Sequence, residues 1–247
     1  MKAMVLAAGL GTRLRPLTET VPKALVRVWG RPMIEYPLRL LKHYGIEDIV
    51  INLHHGGRQI RDYLGSGARL GLRISYSEEE ELLDTGGGLL RARPFLEAGT
   101  FVVINTDTII DVPLADVLRF HREKRAAATL VLRPDPEADR YGSMDLCRDG
   151  RICRFLRTRS AACPPATRGV MFTGLQVLEP KVFDFMETLE AGPKFSTTVH
   201  LYPRMLAAGE PLYGYCFAGF WQDLGAIERI REVENRLSRG EVRLHYL

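Results

Sequence analysis

The chain has 247 residues, of which 46% are apolar and 26% are charged, so it is long enough for a substantial globular core and shows no sign of disorder. Its formal net charge is only +4, and the lysines and arginines are spread out, which argues against a basic patch for nucleic acid. No apolar run approaches the roughly 18 residues that a membrane-spanning helix needs, so we expect no membrane partner.

The first predicted element is a short apolar strand, residues 4–6, which runs into a glycine-rich turn. Gly9 and Gly11 allow a tight turn whose backbone N–H groups can approach phosphate oxygens without interference from Cβ atoms. The order of residues fits neither a P-loop nor a dinucleotide-binding fingerprint, since the final Gly-Lys pair and the third glycine are missing. Arg13 and Lys23 instead place two cations beside the turn, a combination that suits a polyphosphate.

After this turn, predicted helices and strands alternate. Helices are predicted at 32–44, 59–64, 89–95 and 114–125, and strands at 49–52, 72–76, 100–104 and 126–132. Such alternation is typical of βαβ units, in which ligands bind at the carboxyl ends of parallel strands. The sequence therefore predicts an α/β fold with a Rossmann-like, mainly parallel sheet flanked by helices.

The middle of the chain departs from this alternation. Residues 142–147 and 151–156 are predicted as short strands joined at Asp149-Gly150, a strong hairpin signal, which adds a small antiparallel extension. An exposed loop is predicted at 158–168, helices at 180–189, 198–208 and 226–238, and a strand at 212–216. No internal repeat is visible, so we expect residues 1–247 to form a single domain without a C-terminal β-helix domain.

Cysteines and the N-terminus bear on the cellular compartment. The four cysteines form no Cys-x-x-Cys pair and have no histidine at zinc spacing, so we expect reduced thiols. Met1 precedes the first strand so closely that no signal peptide fits, which favours a cytoplasmic protein.

The stretch from Leu6 to Lys23 resembles the signature of the sugar-1-phosphate nucleotidyltransferases, also called nucleotide-sugar pyrophosphorylases. In that signature an apolar strand precedes G-x-G-T-R-L-x-P-x-T-x-x-x-P-K. Nine positions of this chain match it: Gly9, Gly11, Thr12, Arg13, Leu14, Pro16, Thr18, Pro22 and Lys23. The resemblance implies the nucleotide-diphospho-sugar transferase type of fold and an enzyme that condenses an NTP with a sugar 1-phosphate.

The same resemblance implies roles for individual residues. Arg13 and Lys23 are expected to be catalytic. The nucleotide is expected to bind Ala7, Ala8, Gly9, Gly11, Thr12, Arg13, Thr85, Gly86, Gly87 and Asn105. The sugar phosphate is expected to bind Lys23, Tyr141, Gly142 and Gly174.

Two aspartates are candidates for holding a Mg²⁺ cofactor. Asp107 directly follows the predicted strand 100–104, and Asp223 precedes the predicted helix 226–238, so from position alone each could simply cap a turn or a helix. Asp107 lies in a triplet that resembles the family's metal-binding N-G-D, with Thr106 in place of the small middle residue. Asp223 lies in a segment resembling W-x-D-I-G-T. Two carboxylates with water and phosphate oxygens suit Mg²⁺.

Specificity is expected to depend on two further regions. A second glycine-rich loop, Asp84-Thr85-Gly86-Gly87-Gly88, resembles the element that lines the nucleobase, and residues 78–81 before it are predicted as a solvated acidic run. The chain lacks the E-K-P triplet with which many relatives hold the sugar, and 154–156 lies near the expected place.

These features favour a uridylyltransferase that takes UTP and an N-acetylmuramate-type or other hexose 1-phosphate. A GTP-dependent mannose-1-phosphate guanylyltransferase is a close alternative. Further alternatives are an alcohol-phosphate cytidylyltransferase and a catalytically silent regulatory subunit. We expect a monomer or small homo-oligomer that supplies nucleotide sugars as cell-wall or polysaccharide precursors.

Overall fold

The computed structural model describes residues 1–135, 144–160, 170–189 and 192–247. The elements up to residue 112 are β1 (Lys2–Leu6), β2 (Arg27–Val28), β3 (Arg31–Pro32), α1 (Glu35–His43), β4 (Asp48–Leu53), α2 (Gly57–Leu64), β5 (Arg73–Glu78), α3 (Asp84–Arg91), α4 (Arg93–Leu96), β6 (Phe101–Asn105) and β7 (Thr108–Ile110). The later elements are α5 (Leu114–Glu123), β8 (Ala128–Pro134), β9 (Met144–Leu146), β10 (Ile152–Phe155), β11 (Thr158–Arg159), β12 (Val170–Leu178), α6 (Val182–Glu187), α7 (Tyr202–Ala207), β13 (Leu212–Cys216), β14 (Trp221–Asp223) and α8 (Ile227–Ser238).

The chain divides into two compact units. The first comprises Met1–Leu82, Ile104–Val112 and Gly219–Leu247, and the second comprises Leu83–Val103 and Pro113–Ala218. That residues 1–247 act as one domain stays a prediction. Within the described ranges, no helix combines the length and the apolar character that crossing a membrane requires.

Parallel strands form the centre of the first unit. Strands β1, β4 and β5 lie side by side, with Leu6 opposite Asn52 and Leu53 opposite Glu78 at the ends of the two ladders. After its first residue β4 is buried throughout, which explains why its sequence is a continuous apolar, β-branched run apart from Asn52. Because the strands are parallel, the residues that follow their carboxyl ends gather at one edge of the sheet.

A separate two-stranded ladder in the first unit carries the two predicted metal ligands. Strands β7 and β14 are antiparallel, and Asp223 lies opposite Thr108. The N–H of Leu224 donates to the carbonyl of Asp107 at 2.8 Å and extends this pairing by one residue. Two aspartates that are far apart in the sequence are thereby brought to neighbouring positions of one ladder.

The second unit contains the antiparallel extension. Strand β12 pairs antiparallel with β8 and β9, β9 pairs with β10, and β10 pairs with β11. The turn between β9 and β10 contains Asp149 and Gly150, which has a φ of +87°, as the predicted hairpin requires. The predicted α/β fold with a mainly parallel sheet, flanking helices and a small antiparallel extension is confirmed.

Two predictions for the second unit are wrong. The loop predicted at Asp84–Gly88 belongs to helix α3, which begins at Asp84, and the predicted helix 89–95 is divided between α3 and α4. The loop predicted at 158–168 begins with a strand, β11, while residues 161–168 lie outside the described residues.

Close backbone packing explains why α3 contains glycines. The N–H groups of Gly86 and Gly87 both donate to the carbonyl of Phe195, at 2.8 and 3.2 Å. A Cβ atom on Gly86 would lie 2.3 Å from the buried Phe195 ring, and one on Gly87 would lie 2.1 Å from the carbonyl oxygen of Pro193. A side chain at either position would push the two segments apart, so the glycines serve contact between backbones and not a turn.

We predict that Gly86→Ala destabilises the protein. Alanine favours a helix by about 1 kcal/mol over glycine, but the overlap with Phe195 should outweigh this and lower the free energy of unfolding by about 1–3 kcal/mol. Denaturant unfolding measures the difference. Gly99→Ala is the control, because a Cβ there would meet no atom within 4 Å. A gain in stability for Gly86→Ala would contradict the packing described above.

Candidate functional site

The loop that follows β1 exposes its backbone at the carboxyl edge of the parallel strands. Ala7 and Ala8 are buried, whereas Gly9 is exposed and a Cβ atom on it would meet nothing within 4 Å. The loop continues into a single 3₁₀ turn, Thr12–Leu14, whose Leu14 side chain is fully buried and anchors it. Backbone amides in this stretch can therefore be approached closely by a ligand.

Gly11 is required by its own neighbours. Its φ is +66°, a conformation that L side chains rarely adopt, and a Cβ there would lie 2.9 Å from both Lys23 Cβ and Thr18 Cγ2. The buried Thr18 hydroxyl donates to the Gly11 carbonyl at 2.8 Å. Gly11 thus lets the turn pack directly against the base of the Lys23 side chain.

Lys23 and Asp107, both predicted as site residues, form an ion pair. The Lys23 ammonium donates to Asp107 Oδ2, and the two side chains are only 16% and 22% exposed. A hydrogen bond between two charged groups with limited access to water is stronger than one at the surface. The pair joins the glycine turn to the start of the β7–β14 ladder.

Asp223 is held by two donors. Its Oδ1 accepts the N–H of Gly225 at 2.5 Å, and its Oδ2 accepts from the guanidinium of Arg229 on α8. The side chain is 18% exposed. No sequence pattern indicates Arg229 as a partner, because the six residues that separate it from Asp223 span the boundary between a strand and a helix.

Arg13 lies over Gly225. A Cβ atom on Gly225 would lie 2.7 Å from both Arg13 Nη2 and Asp223 Oδ1, so the missing side chain makes room for the guanidinium beside the carboxylate. Among the described residues Arg13 has no hydrogen-bond or ion-pair partner, and it is exposed. Its donors are therefore available to a phosphate group.

The two aspartates fit Mg²⁺ only together with a phosphate ligand. In the described part of the chain, no group of three or more histidine, cysteine, aspartate or glutamate side chains is arranged to hold a metal ion. Mg²⁺ commonly takes one or two carboxylates and completes its coordination with water and substrate phosphates. Asp107 and Asp223 supply that number of carboxylates on neighbouring positions of the ladder.

Asn105, the remaining site residue predicted in the first unit, ends β6. Its side chain is partly exposed, and no described residue is its hydrogen-bond partner. The first unit thus contains the candidate residues of the glycine turn, both candidate metal ligands and Asn105.

The other candidates lie elsewhere. In the second unit, Thr85 Oγ1 accepts the N–H of Thr197 at 3.0 Å, and Gly174, with a φ of +88°, interrupts the regular pairing of β12 with β8. Tyr141 and Gly142 lie outside the described residues. Near the place of the missing E-K-P, Arg154 binds both carboxylate oxygens of Asp145 at 2.6 and 2.7 Å and, as the main cause, lowers the pKa of that carboxyl.

Sequence reasoning missed a buried polar group beside the turn. The predicted solvated acidic run at 78–81 is wrong at Glu79, which is only 5% exposed and accepts a hydrogen bond from the buried Asn52 at 2.7 Å. Thr106, described above only as a departure from a motif, is 4% exposed and bonds to Leu6. The alternation of β5 provides no signal for Glu79, since it places residue 79 on the same face as the exposed Arg73 and Ser75.

Comparison with known proteins gives consistent similarities. Residues 2–240 match the family model described as nucleotidyl transferase. The chain is 34% identical to an N-acetylmuramate alpha-1-phosphate uridylyltransferase from Neisseria meningitidis serogroup B, over 95% of this chain and 97% of the relative. It is 33% identical to a UTP–glucose-1-phosphate uridylyltransferase from Synechocystis, over 96% of this chain and 64% of the relative. It is also 33% identical to a mannose-1-phosphate guanylyltransferase from Mycobacterium tuberculosis, over 96% of this chain and 65% of the relative.

The chain therefore spans just under two thirds of the length of the Synechocystis and Mycobacterium relatives. Among solved structures, HddC from Yersinia pseudotuberculosis is similar with a TM-score of 0.77 at 22% identity, over 96% of this chain and 99% of that chain. A Bacillus anthracis protein provisionally named a glucose-1-phosphate thymidylyltransferase is similar with a TM-score of 0.81 at 23% identity, over 97% of this chain and 95% of that chain. These likenesses support the fold.

Gly9 and Gly11 provide a matched test of the turn. Gly11→Ala should lower the free energy of unfolding by about 1–3 kcal/mol, because it combines a positive φ with overlap onto Lys23 and Thr18. Gly9→Ala should change it by less than about 0.5 kcal/mol, since its Cβ would meet open space. Denaturant unfolding of both variants checks this. Equal losses would show that the turn is not fixed through Gly11.

Proposed function

Because this chain belongs to the nucleotidyl transferase family, we propose that it transfers a nucleotidyl group from an NTP to a sugar 1-phosphate and releases pyrophosphate. The observation that carries the proposal is the Lys23–Asp107 ion pair at the base of a turn with exposed backbone. A movable cation, a carboxylate and a phosphate-binding turn in one unit are the parts that nucleotidyl transfer needs.

The triphosphate is bound by the first unit. Backbone N–H groups of the stretch Gly9, Gly11 and Thr12 donate to its oxygens, and Arg13 supplies a planar pair of donors from above Gly225. When substrates bind, Lys23 breaks its contact with Asp107 and binds the phosphate that is transferred and the sugar phosphate. The ammonium suits this exchange because it is a point charge on a flexible stem.

The reaction is a single displacement. An oxygen of the sugar phosphate attacks the α-phosphorus, the bond to the β-phosphate oxygen breaks, and pyrophosphate leaves with the electron pair. Arg13 and Lys23 stabilise the charge that develops on the phosphates, and no covalent intermediate on the protein is required. Mg²⁺ held by Asp107 and Asp223, when bound, would supply Lewis-acid stabilisation of the same oxygens.

Further residues are assigned to the nucleobase and the sugar. The resemblance of segment 84–88 to the family's nucleobase-lining element supports a role for Thr85, Gly86 and Gly87 in binding the nucleobase. Asn105 is assigned to nucleotide binding, because its side chain has no described hydrogen-bond partner. The sugar phosphate contacts Gly174 together with Tyr141 and Gly142. Residues 1–247 work as one nucleotidyltransferase domain, in a monomer or small homo-oligomer in the cytoplasm, without nucleic acid.

The preferred substrates are UTP and an N-acetylmuramate-type or other hexose 1-phosphate. The Asp84–Gly88 segment and the missing E-K-P triplet favour them, and a relative with that name is 34% identical. GTP with mannose 1-phosphate is the second candidate, favoured by a relative at 33% identity. A screen of pyrophosphate release with four NTPs and a panel of sugar 1-phosphates separates the two.

The screen also tests the remaining alternatives. Turnover of CTP with an alcohol phosphate such as phosphocholine would indicate a cytidylyltransferase. Nucleotide-sugar binding without any pyrophosphate release would indicate a silent regulatory subunit.

Lys23→Ala and Asp107→Asn should each lower kcat/KM by about 100-fold or more, because each removes a charge beside the reacting phosphates. The pyrophosphate-release assay measures this. Lys42→Ala is the control for Lys23, since Lys42 pairs with Glu47 on the same unit away from the turn. Near-normal activity in either site variant, with an intact fold by circular dichroism, would overturn the proposed roles.

Metal dependence is the next prediction. Removal of divalent cations with EDTA should abolish turnover, and Mg²⁺ should restore it. Asp223→Asn should raise the Mg²⁺ concentration for half-maximal activity by about tenfold, since one of two anionic ligands becomes neutral. Asp48→Asn, which alters an exposed carboxylate paired with Arg73, should leave that concentration unchanged. Full activity in EDTA would contradict a metal site at Asp107 and Asp223.

A further inference from the structure

The peptide group between Leu6 and Ala7 is held on both sides by buried side chains. Its carbonyl accepts two hydrogen bonds from Thr106, at 3.2 Å from the N–H and at 2.7 Å from the hydroxyl. Its N–H donates to Asn52 Oδ1 at 2.8 Å. Leu6 is the last residue of β1 that pairs with β4. Where this ladder ends, side chains provide hydrogen-bond partners for the backbone.

Asn52 is itself fixed by Glu79. Asn52 Nδ2 donates to Glu79 Oε1 at 2.7 Å, which fixes the orientation of the amide so that its oxygen, Oδ1, accepts from the N–H of Ala7. The backbone of Glu79 is anchored in turn, because its N–H donates to the carbonyl of Leu53 at 2.8 Å. Asn52 and Glu79 are 3% and 5% exposed, so water does not compete for these bonds.

We propose that Asn52, Glu79 and Thr106 are positioning residues for the nucleoside triphosphate. They act through the Leu6–Ala7 peptide and set the path of the turn that begins two residues later. The turn needs such an anchor, because Gly9 contacts nothing at its Cβ position while Gly11 is fixed through Thr18 and Lys23 at the far end. This proposal rests on the proposed function, since it assumes that the turn binds the triphosphate.

Thr106 gives the sharpest test, because one hydroxyl can be removed with little change in shape. Thr106→Val lacks the donor to the Leu6 carbonyl, whereas Thr106→Ser keeps it and serves as the matched variant. KM is measured separately for UTP or GTP and for the sugar 1-phosphate, using the pair that the wild-type protein turns over. Chemical unfolding confirms that both variants are folded at the assay temperature.

We expect Thr106→Val to raise KM for the NTP by about tenfold while KM for the sugar 1-phosphate changes less than about twofold. Thr106→Ser should restore the wild-type value for the NTP. Unchanged constants in Thr106→Val, or equal changes for both substrates, would overturn the positioning role. If Thr106→Val does not fold, Thr106→Ala is compared with Thr106→Ser by the same criteria.

Failure of the proposed function would be recognised separately. If the wild-type protein turns over no substrate pair, calorimetric titration with UTP and with GTP in Mg²⁺ takes the place of KM. Binding by the wild type that is about tenfold weaker in Thr106→Val and normal in Thr106→Ser would support the positioning role alone. Absence of nucleotide binding by the wild type would overturn both proposals.

Discussion

The ion pair between Lys23 and Asp107 is the interaction on which the candidate site of the first unit depends. It joins a turn near the N-terminus to a ladder whose other strand comes from the last 30 or so residues of the chain. Gly11 packs on the Lys23 stem, and Leu224 bonds to the Asp107 backbone, so both ends of the pair are tied to ordered structure. Opposite charges that are mostly buried stabilise each other, and either one left alone would be costly to keep from water.

Such a pair also suits a site that receives a polyanion. In the free protein the two opposite charges compensate each other, so neither is left unpaired while no substrate is bound. In the proposed exchange, a triphosphate with a divalent cation would offer the lysine an anion and the aspartate a cation, so both charges would remain compensated. Arg13 and Gly9 differ from this pair. Arg13 has no hydrogen-bond or ion-pair partner among the described residues, and open space lies at the Cβ position of Gly9, so both are accessible before substrate binds.

Motifs whose residues lie close together in the sequence could be predicted. Contacts between residues that are distant in the sequence could not. The spacing of Gly9, Gly11 and Lys23 within one loop predicts the family, because the whole motif is local in sequence. The glycines of α3 predict a loop from sequence alone, since the segment around Phe195 that excludes their side chains is distant in sequence. The burial of Glu79 cannot be predicted from its own segment, because its partner Asn52 belongs to another strand. The pairing of Asp107 with Lys23 also cannot be predicted from the sequence. Taken alone, each residue is predicted only to bind a ligand, metal for Asp107 and phosphate for Lys23.

The central claim is that Lys23 releases Asp107 to bind substrate and that Asp107 releases Lys23 to bind metal. A crystal structure with a non-hydrolysable NTP analogue and Mg²⁺ tests it most directly. We expect the Lys23 ammonium within hydrogen-bonding distance of a phosphate oxygen, Asp107 and Asp223 on the metal, and phosphates against the backbone of the Gly9–Gly11 turn. A nucleotide bound elsewhere, with the Lys23–Asp107 pair intact, would contradict the claim.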